Sequence, residues 1–487
     1  MREAVAQDGG AGGRAARGLV AQGGLAGLAL AMLLSSLGIS IANVGLPALA
    51  QAFDVPFREV QWVVLAYLLA ITTLIVGVGR LGDIVGRRRL LLAGIALFTA
   101  GSAASAAASG LWMLVAARAV QGLGAAAMMA LATAFVGDAV PKERTGRAMG
   151  LMGTTSAVGT ALGPTLGGLL IAAFGWPAIF LVTVPPGVAA FLLVRRCLPA
   201  DRAKAQVEAQ VEAQVETGRG AGRGSFDFPG MLILALTLGT YALAMTGGRG
   251  GFGWSDVTLL LAAAAGSWLF LAVEARTASP LLRLEMLRDR TLRGRLAMSM
   301  LVATVLMATL VVGPFHLAHA LGLETGMVGV AMSAGPLVAA LTGVPAGRLV
   351  DRFGAARMTI LGLSATTGGC VLLALLPATL GVAGYVGPLV VVTAGYALFQ
   401  TANNTAVMAD VEKDRRGVVS GVLNLSRNLG LVTGASVMGM VFTLGVGTEV
   451  AVAAPEAVAA GTRTTFAVAA GLIAVALLLA VRTAGRR

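Results

Sequence analysis

Two arginines and several carboxamides lie within long apolar runs of this sequence, where polar side chains are costly to bury. Arg118, with Gln121 and Gly122 after it, lies about two helical turns inside one such run. An isolated charge at that depth is strongly unfavourable unless it faces a polar cavity or a partner. The sequence therefore predicts that Arg118 faces a cavity. The alternatives are a structural arginine bonded to helix carbonyls and a side chain that extends to the membrane surface.

A second polar cluster is predicted on two consecutive apolar runs joined by a turn near residues 410–416. Its members lie at similar distances along the chain from that turn, so they should share one depth. Amides beside a guanidinium can bind anionic or neutral polar groups through charge-assisted hydrogen bonds. Polar contacts between helices are the competing interpretation, and Asn43 in the first run has the same two interpretations. The members are Gln400, Asn403, Asn404, Asn424, Arg427 and Asn428.

Acidic side chains are absent from the predicted membrane interior. All 23 Asp and Glu residues fall outside the apolar runs or at their very ends. A buried carboxylate is the simplest group for exchanging a proton with a cation, because desolvation raises its pKa towards neutrality. Proton coupling would therefore involve Asp83, His316 or the substrate's own ionisation, or would be absent. His316 is alternatively an interfacial residue, and Tyr67 is a candidate for contact with substrate.

A glycine series opens another apolar run. Gly159, Gly163 and Gly167 fall on one helical ridge that lacks side chains, so a neighbouring helix can approach backbone to backbone. Pro164 removes a backbone donor within that ridge and bends the helix. The series predicts a tight, kinked contact between moving parts, with ordinary glycine-mediated packing as the alternative. Its full membership is Gly150, Gly159, Gly163, Pro164, Gly167 and Gly168.

Composition places these residues in a membrane protein. The chain has 487 residues, of which 57% are hydrophobic and 12% charged, and many runs are long enough to cross a bilayer. Two cysteines support neither a disulfide framework nor a metal-thiolate site. The net charge of +13 is spread over loops, which argues against nucleic-acid binding and agrees with contacts to lipid phosphates. No nucleotide-binding loop or catalytic cluster is present in the sequence, so we expect neither an enzyme nor a cofactor or metal site.

Hydropathy predicts fourteen membrane spans, with both termini in the cytoplasm of a bacterial cell and the chain in its inner membrane. Of 36 Lys and Arg residues, 31 then fall on the cytoplasmic side, as the positive-inside rule requires. The exceptions are Arg58, Arg249 and Arg463 outside, and Arg118 and Arg427 within spans. The predicted spans are 20–47, 60–79, 89–109, 111–135, 146–172, 177–194, 229–247, 255–273, 296–318, 325–347, 357–377, 383–408, 417–446 and 464–481.

An internal repeat divides the fourteen spans. The loop at residues 79–89 after span 2 and the loop at residues 347–357 after span 10 follow one pattern, which leaves spans 7 and 8 as an insertion between two six-helix halves. The predicted gating residues of these loops are Gly79, Asp83, Gly86, Arg87, Arg88, Gly347, Asp351 and Gly354. Capping carboxylates with topology-setting arginines are the alternative interpretation. The predicted segments are a tail 1–19, a bundle 20–196, a linker 197–228 with a repeated Val-Glu-Ala-Gln unit, two inserted helices 229–274, a loop 275–295, a bundle 296–482 and a tail 483–487.

With these motifs the chain resembles the major facilitator superfamily, and specifically its fourteen-spanner drug:proton antiporter branch. The loop at residues 79–89 is similar to the superfamily's motif A, residues 114–126 with Arg118 are similar to motif B, and the glycine series matches the antiporter motif C. One position departs from the branch, because Gly38 stands where an Asp is usual.

The resemblance implies an all-α major facilitator fold of two six-helix bundles plus two linking helices. It also implies export of small amphipathic compounds by alternating access, in exchange for protons, with motif A acting at the cytoplasmic side and motif C at the outer side. Because Gly38 replaces the acid, we expect neutral or anionic substrates. We also expect a monomeric protein. An uncoupled carrier or flippase for a metabolite or lipid, and a membrane scaffold or sensor that does not transport, remain the alternatives.

Overall fold

The computed structural model describes residues 3–139, 142–198, 227–246, 254–277, 289–375, 377–409 and 416–484, and these ranges are almost entirely helical. The linker repeat, Arg249 and the turn at 410–415 lie outside the described residues, as do the surroundings of Gly79, Asp83 and Gly150. Within the described ranges the long helices are α1 (Glu3–Val44), α2 (Trp62–Val85), α3 (Arg87–Ala106), α4 (Leu111–Ala139), α5 (Lys142–Phe174), α6 (Val184–Cys197), α7 (Phe228–Thr246), α8 (Trp254–Glu274), α9 (Arg290–Phe315), α10 (Thr325–Phe353), α11 (Ala355–Leu375), α12 (Gly381–Ala409), α13 (Arg416–Thr433) and α14 (Pro455–Ala484).

Thirteen segments of the described chain are long and apolar enough to cross a membrane. The remaining long helix, α5, has 33 residues and contains the shorter apolar stretch Val158–Phe174. Four segments include neighbouring short helices: Phe57–Val60 precedes α2, Ala178–Leu181 precedes α6, the π-helical turn His316–Ala320 follows α9, and α13 continues through a π-helical turn at Gly434–Met438 into Gly439–Val446. The fourteen-helix order predicted from hydropathy is thus present, because helix length and apolarity are local properties of the chain.

Several helix starts differ from the predicted spans, and the largest difference is at α1, which begins at Glu3 rather than 20. Helix α9 begins at Arg290 rather than 296, since Asp289 caps it by accepting a hydrogen bond from the Thr291 backbone N–H at 2.8 Å. Helix α14 begins at Pro455 rather than 464, and proline is favourable at a first helical position. Arg463, which the prediction places just before the last span, thus lies two turns inside α14.

The helices form two groups of six. In the N-terminal bundle, α1 packs against α5 and α6, while α4 packs against α2 and α3. In the C-terminal bundle, α9 packs against α13 and α14, while α11 packs against α12 and α14. Helices α7 and α8 pack on each other, and α7 also contacts α2 of one bundle and the π-helical turn of the other. The inserted pair therefore lies beside the junction between the bundles.

The two bundles repeat one turn geometry at the junctions α2–α3 and α10–α11. Gly86 has φ +101° and Gly354 has φ +85°, values that residues with a Cβ rarely adopt. Each glycine N–H donates to the carbonyl four residues earlier, Gly82 or Val350, at 2.9 Å. The repeated loops of the sequence thus make the same turn in both halves. We call the end of the molecule that bears these turns the "turn end". The opposite end, at which the odd-numbered helices end, is the "gate end".

Candidate functional site

Arg118 is completely buried inside the N-terminal bundle. Its Nε donates to the Val63 carbonyl at 3.0 Å, its Nη2 donates to the Gly38 carbonyl at 2.9 Å, and its Nη1 donates to Oε1 of Gln121. Gln121 in turn donates through Nε2 to the Ser102 hydroxyl at 2.7 Å. In this conformation the guanidinium joins α4 to α1 and α2, which is the arrangement expected of a structural arginine.

Tyr67 occupies the space beside Gly38 and Arg118. The guanidinium carbon lies 4.1 Å from the centre of the Tyr67 ring, close enough for a cation–π contact. The Tyr67 hydroxyl donates to the Ser35 carbonyl at 2.8 Å. A Cβ on Gly38 would lie 2.8 Å from that hydroxyl and 3.2 Å from the Phe98 ring. The position where the resembled branch carries an acid is therefore filled by an aromatic ring and its hydroxyl.

The C-terminal bundle packs the corresponding place without a charge. Gly335 in α10 stands 268 residues after Tyr67, the same interval that separates Gly86 from Gly354. A Cβ on Gly335 would contact Thr393 at 3.2 Å and Leu389 at 3.7 Å, both in α12. The polar network around Arg118 is thus a feature of one half only.

The glycine series of α5 faces two different partners. Gly159, Gly163 and Gly167 face α1, where added Cβ atoms would collide with Leu33, Ser40 and Val44. This ridge lies within the N-terminal bundle. Gly168 faces the other bundle instead, and its Cβ would lie 2.7 Å from Cα of Gly329 in α10.

Gly329 makes the same cross-bundle contact from its own side. A Cβ there would lie 2.5 Å from the Pro164 carbonyl oxygen and 2.8 Å from Cα of Gly168. Helices α5 and α10 therefore touch backbone to backbone at this point, and side chains would hold them apart.

Two further contacts join the bundles at the gate end. The Phe57 ring, in the short helix Phe57–Val60 before α2, makes edge contacts with Phe315 at 4.5 Å and Phe442 at 5.4 Å between ring centres. Gln61 is buried against Gly439, whose Cβ would lie 2.6 Å from Oε1 of Gln61. We call these contacts, with the Gly168–Gly329 contact, the bundle gate; its residues are Phe57, Gln61, Gly168, Phe315, Gly329, Gly439 and Phe442.

Towards the turn end, the described part of α10 is less closely packed. Cβ atoms on Gly343 and Gly347 would meet no atom within 4 Å, and the Leu341 side chain is 68% exposed. Asp351 is exposed. Among the residues that the structure describes, α10 is therefore packed more closely at the gate end than towards the turn end.

In the described hydrogen bonds, one of the amides predicted on α12 and α13 and one serine of α13 contact α9. Asn403 donates through Nδ2 to the Arg295 carbonyl at 3.3 Å, and the Ser426 hydroxyl donates to the Leu296 carbonyl at 2.6 Å. Asn424 is exposed, and Gln400, Asn404 and Arg427 are half-buried. Several buried polar atoms still have no hydrogen-bond partner: Asn43 Oδ1, Asn403 Oδ1, Arg427 Nε and Asn428 Nδ2.

Three other predicted residues, Asn43, Arg88 and His316, contact groups within the protein. Asn43 bonds its own helix, and the other two contact a neighbouring helix. Asn43 donates through Nδ2 to the Ile39 carbonyl at 2.7 Å. Arg88 donates through Nη2 to the carbonyl of Arg195 near the end of α6, so it binds a helix end. His316 begins a π-helical turn, His316–Ala320, and its buried ring stacks on Tyr385 at 5.4 Å.

Sequence reasoning missed the residues of the gate other than Gly168. Phe57 and Phe442 are ordinary aromatic residues in the sequence, and neither Gln61 nor Gly439 belongs to a recognised motif. No local pattern in the sequence marks such a contact between separate bundles. Outside the gate, the interval of 268 residues could have indicated that Gly335 is the counterpart of Tyr67.

Comparison with known proteins agrees with this architecture. The riboflavin transporter RibZ of Clostridioides difficile is 29% identical over 84% of this chain and 85% of its own length. The multidrug resistance protein Stp of Mycobacterium tuberculosis is 32% identical over 82% of this chain and 72% of its own length. A bacterial homologue of the human lysosomal transporter Spinster, solved in an inward-facing and unoccupied conformation, has a TM-score of 0.67 and 15% identity, covering 96% of this chain and 97% of that one.

The sequence profile of the Major Facilitator Superfamily matches residues 28–435, which include most of both bundles and the inserted helices. The fold expected from the motifs is confirmed, and the chain is a transporter and not an enzyme. This integral membrane protein belongs to the Major Facilitator Superfamily.

Proposed function

We propose that this transporter exports small amphipathic organic compounds, neutral or anionic, from the cytoplasm or inner leaflet across the bacterial inner membrane in exchange for protons. The observation that carries the proposal is the bundle gate. Contacts between the bundles that are concentrated at one end are expected of one state of an alternating-access cycle. With the termini in the cytoplasm, this state opens towards the cytoplasm, where an exporter takes up its substrate.

The gate is suited to opening because the helices of each bundle are held together by contacts within that bundle. Gly159, Gly163 and Gly167 hold α5 to α1 inside one bundle, and Gly430 and Gly434 face α9 inside the other. The gate itself consists of three aromatic rings, one buried amide and three glycines. Little polar bonding has to break for the bundles to separate there.

The surroundings of Arg118 support neutral or anionic substrates. The guanidinium is bonded to carbonyls and to Gln121, and Gly38 with Tyr67 occupies the place of the usual acid. A cationic compound would therefore find no carboxylate at the place of the usual acid, and the buried guanidinium nearby adds an unfavourable positive charge. In the proposed cycle, Arg118 holds α1, α2 and α4 together while Asn43, Gln400, Asn404 and Arg427 contact the substrate.

Inverted membrane vesicles test the proposed transport and its coupling. We expect an exported compound to accumulate inside them when an acid-interior pH gradient is imposed, and the accumulation to collapse with a protonophore. Equilibration that ignores the gradient would indicate an uncoupled carrier. If no compound of a chemically diverse panel moves faster than in vesicles without the protein, the scaffold or sensor alternative replaces transport.

A cross-link across the gate tests alternating access directly. Gln61→Cys and Gly439→Cys are combined in a chain that carries Cys197→Ser and Cys370→Ala, and a short bifunctional thiol reagent is added. We expect transport to stop when the pair is joined and to continue in each single-cysteine variant treated alike. Full turnover in the cross-linked protein would contradict the proposed role of the gate.

A metabolite carrier is the second candidate function. It is favoured by the similarity to a relative named as a riboflavin transporter, which is about as great as that to Stp. Riboflavin uptake into the same inverted vesicles, compared with uptake of dyes and antibiotics, separates the two. Transport of riboflavin alone would replace drug export as the function.

A further inference from the structure

Arg463 lies two turns inside α14, in a segment that is apolar enough to cross a membrane. Its side chain is exposed, and a guanidinium within a membrane-crossing segment is favourable only beside a polar surrounding or a negative partner. Among the described contacts Arg463 has no ion pair, and the acidic residue of α14, Glu456, stands seven positions earlier, about 10 Å along the helix axis. The position therefore calls for a polar feature beside it.

A cavity in the C-terminal bundle supplies that feature. It lies at the gate end between the π-helical turn after α9, the start of α12 and α14, and Arg463, His316 and Thr462 line it together with Tyr385. The remaining lining residues are apolar or glycine, and none is acidic. Its wall thus combines a permanent positive charge with an imidazole.

The side chains of the cavity differ in what they can offer a ligand. The Thr462 hydroxyl donates to the Val458 carbonyl at 3.0 Å, and the Tyr385 hydroxyl is directed to the Thr309 carbonyl at 3.4 Å. His316 is buried, with an exposed fraction of 8%. Its Nδ1 has no hydrogen-bond partner among the described residues. Arg463 is exposed and is one of the residues that line the cavity.

We propose that the mouth of this cavity, which has a volume of about 20 Å³ and room for about one water molecule, binds one oxygen of a compact oxyanion group, a carboxylate or a phosphate, between Arg463 and His316. A guanidinium matches the planar arrangement of two oxygens on such a group, and a buried imidazole nitrogen can donate to one of them. The π-helical turn brings His316 into the cavity wall, and π-helical turns of this kind are frequent at functional sites. The oxyanion belongs either to a small solute or to the headgroup of an anionic lipid.

Binding is measured as a rise in unfolding temperature of the full-length protein, because a ligand that binds the folded state stabilises it. In detergent, inorganic phosphate or acetate is titrated at constant ionic strength maintained with sodium chloride. In lipid nanodiscs without these solutes, phosphatidylglycerol is compared with phosphatidylcholine. Arg463→Gln is the test variant, and Arg58→Gln, at the same end of the molecule, is the matched control.

We expect a saturable rise in unfolding temperature for the native chain and for Arg58→Gln, with binding at least tenfold weaker in Arg463→Gln. A response to the solutes identifies a free oxyanion, and a response confined to phosphatidylglycerol identifies a lipid headgroup. If neither probe gives a saturable rise, or if Arg463→Gln responds like the native chain, the proposal is overturned. Should Arg463→Gln fail to fold, His316→Gln provides the same comparison, with a smaller loss expected.

Discussion

Replacing Gly168 by alanine should shift the protein out of the conformation in which the bundle gate is closed. The new Cβ would lie 2.7 Å from Cα of Gly329, 2.9 Å from the Thr325 carbonyl oxygen and 3.1 Å from N of Gly329. These are backbone atoms, so no side chain can rotate away. Ordinary contact begins near 3.4 Å, and the two helices would have to separate by about 0.7 Å.

The size of the effect follows from that overlap. Inserting a methyl group into a close-packed contact costs about 1–3 kcal/mol. The cost falls on the closed gate alone, because the contact does not exist once the bundles have separated. The ratio of closed to open gate should therefore fall by about 5- to 150-fold.

Distances between spin labels report this ratio. Cysteines for labelling replace Gln51 and Val452, which are exposed and lie at the gate end of different bundles, in a chain without its two native cysteines. The native sequence should give mainly a short distance, and Gly168→Ala should add a longer one. Gly329→Ala should act in the same direction, since its Cβ would lie 2.5 Å from the Pro164 carbonyl oxygen.

Gly343→Ala is the matched control. Gly343 lies in the same helix as Gly329, but its Cβ would meet no atom within 4 Å. Both changes raise helix propensity equally, so a difference between them reports the cross-bundle contact. The reasoning is refuted if Gly168→Ala leaves the distances of a folded protein unchanged, or if Gly343→Ala changes them as much.

Three further predictions concern the N-terminal bundle and the repeated turns, all measured by thermal unfolding with transport assayed in vesicles. Arg118→Lys should lower the free energy of unfolding by about 2–6 kcal/mol and the transport rate at least tenfold. The reason is that one ammonium group cannot donate to all three acceptors that the guanidinium reaches. An unchanged unfolding temperature would contradict the described network. Gly38→Ala should destabilise by about 1–3 kcal/mol, and part of that loss should disappear when Tyr67→Phe removes the hydroxyl that the new Cβ would strike; strictly additive losses would argue against this contact. Gly86→Ala and Gly354→Ala should each lower the free energy of unfolding by about 1–3 kcal/mol, because both turns need a positive φ. An unchanged unfolding temperature for either variant would show that its turn does not need glycine.

Several features of the fold could be read from local sequence. A helix that crosses a bilayer satisfies its own backbone hydrogen bonds and needs only a long apolar run, so the number and order of helices follow from hydropathy. The paired turns at Gly86 and Gly354 were visible as a repeated loop, because positive φ leaves glycine as the favoured residue. Motif resemblance then indicated the major facilitator fold, which the family match confirms.

Other features depended on contacts between distant segments. Hydropathy placed Arg463 in a loop because a charge lowers the local average, whereas proline and alanine residues before it extend α14 by more than two turns. The sequence placed Arg118 at depth but left open which way the guanidinium points, and its acceptors lie on three different helices.

By itself, the sequence determined that the chain spans a membrane with two similar halves, an inserted helix pair and no acidic residue in the interior of a predicted span, because these properties can be read from local stretches of the chain. Only the tertiary structure decided that the α5 ridge packs inside its own bundle while Gly168 meets Gly329, that Tyr67 fills the space beside Gly38, and that Phe57 lies between Phe315 and Phe442. Such contacts depend on the rotation of each helix and on the distance between bundles. Both are set by packing across the whole molecule, which no local stretch of residues encodes.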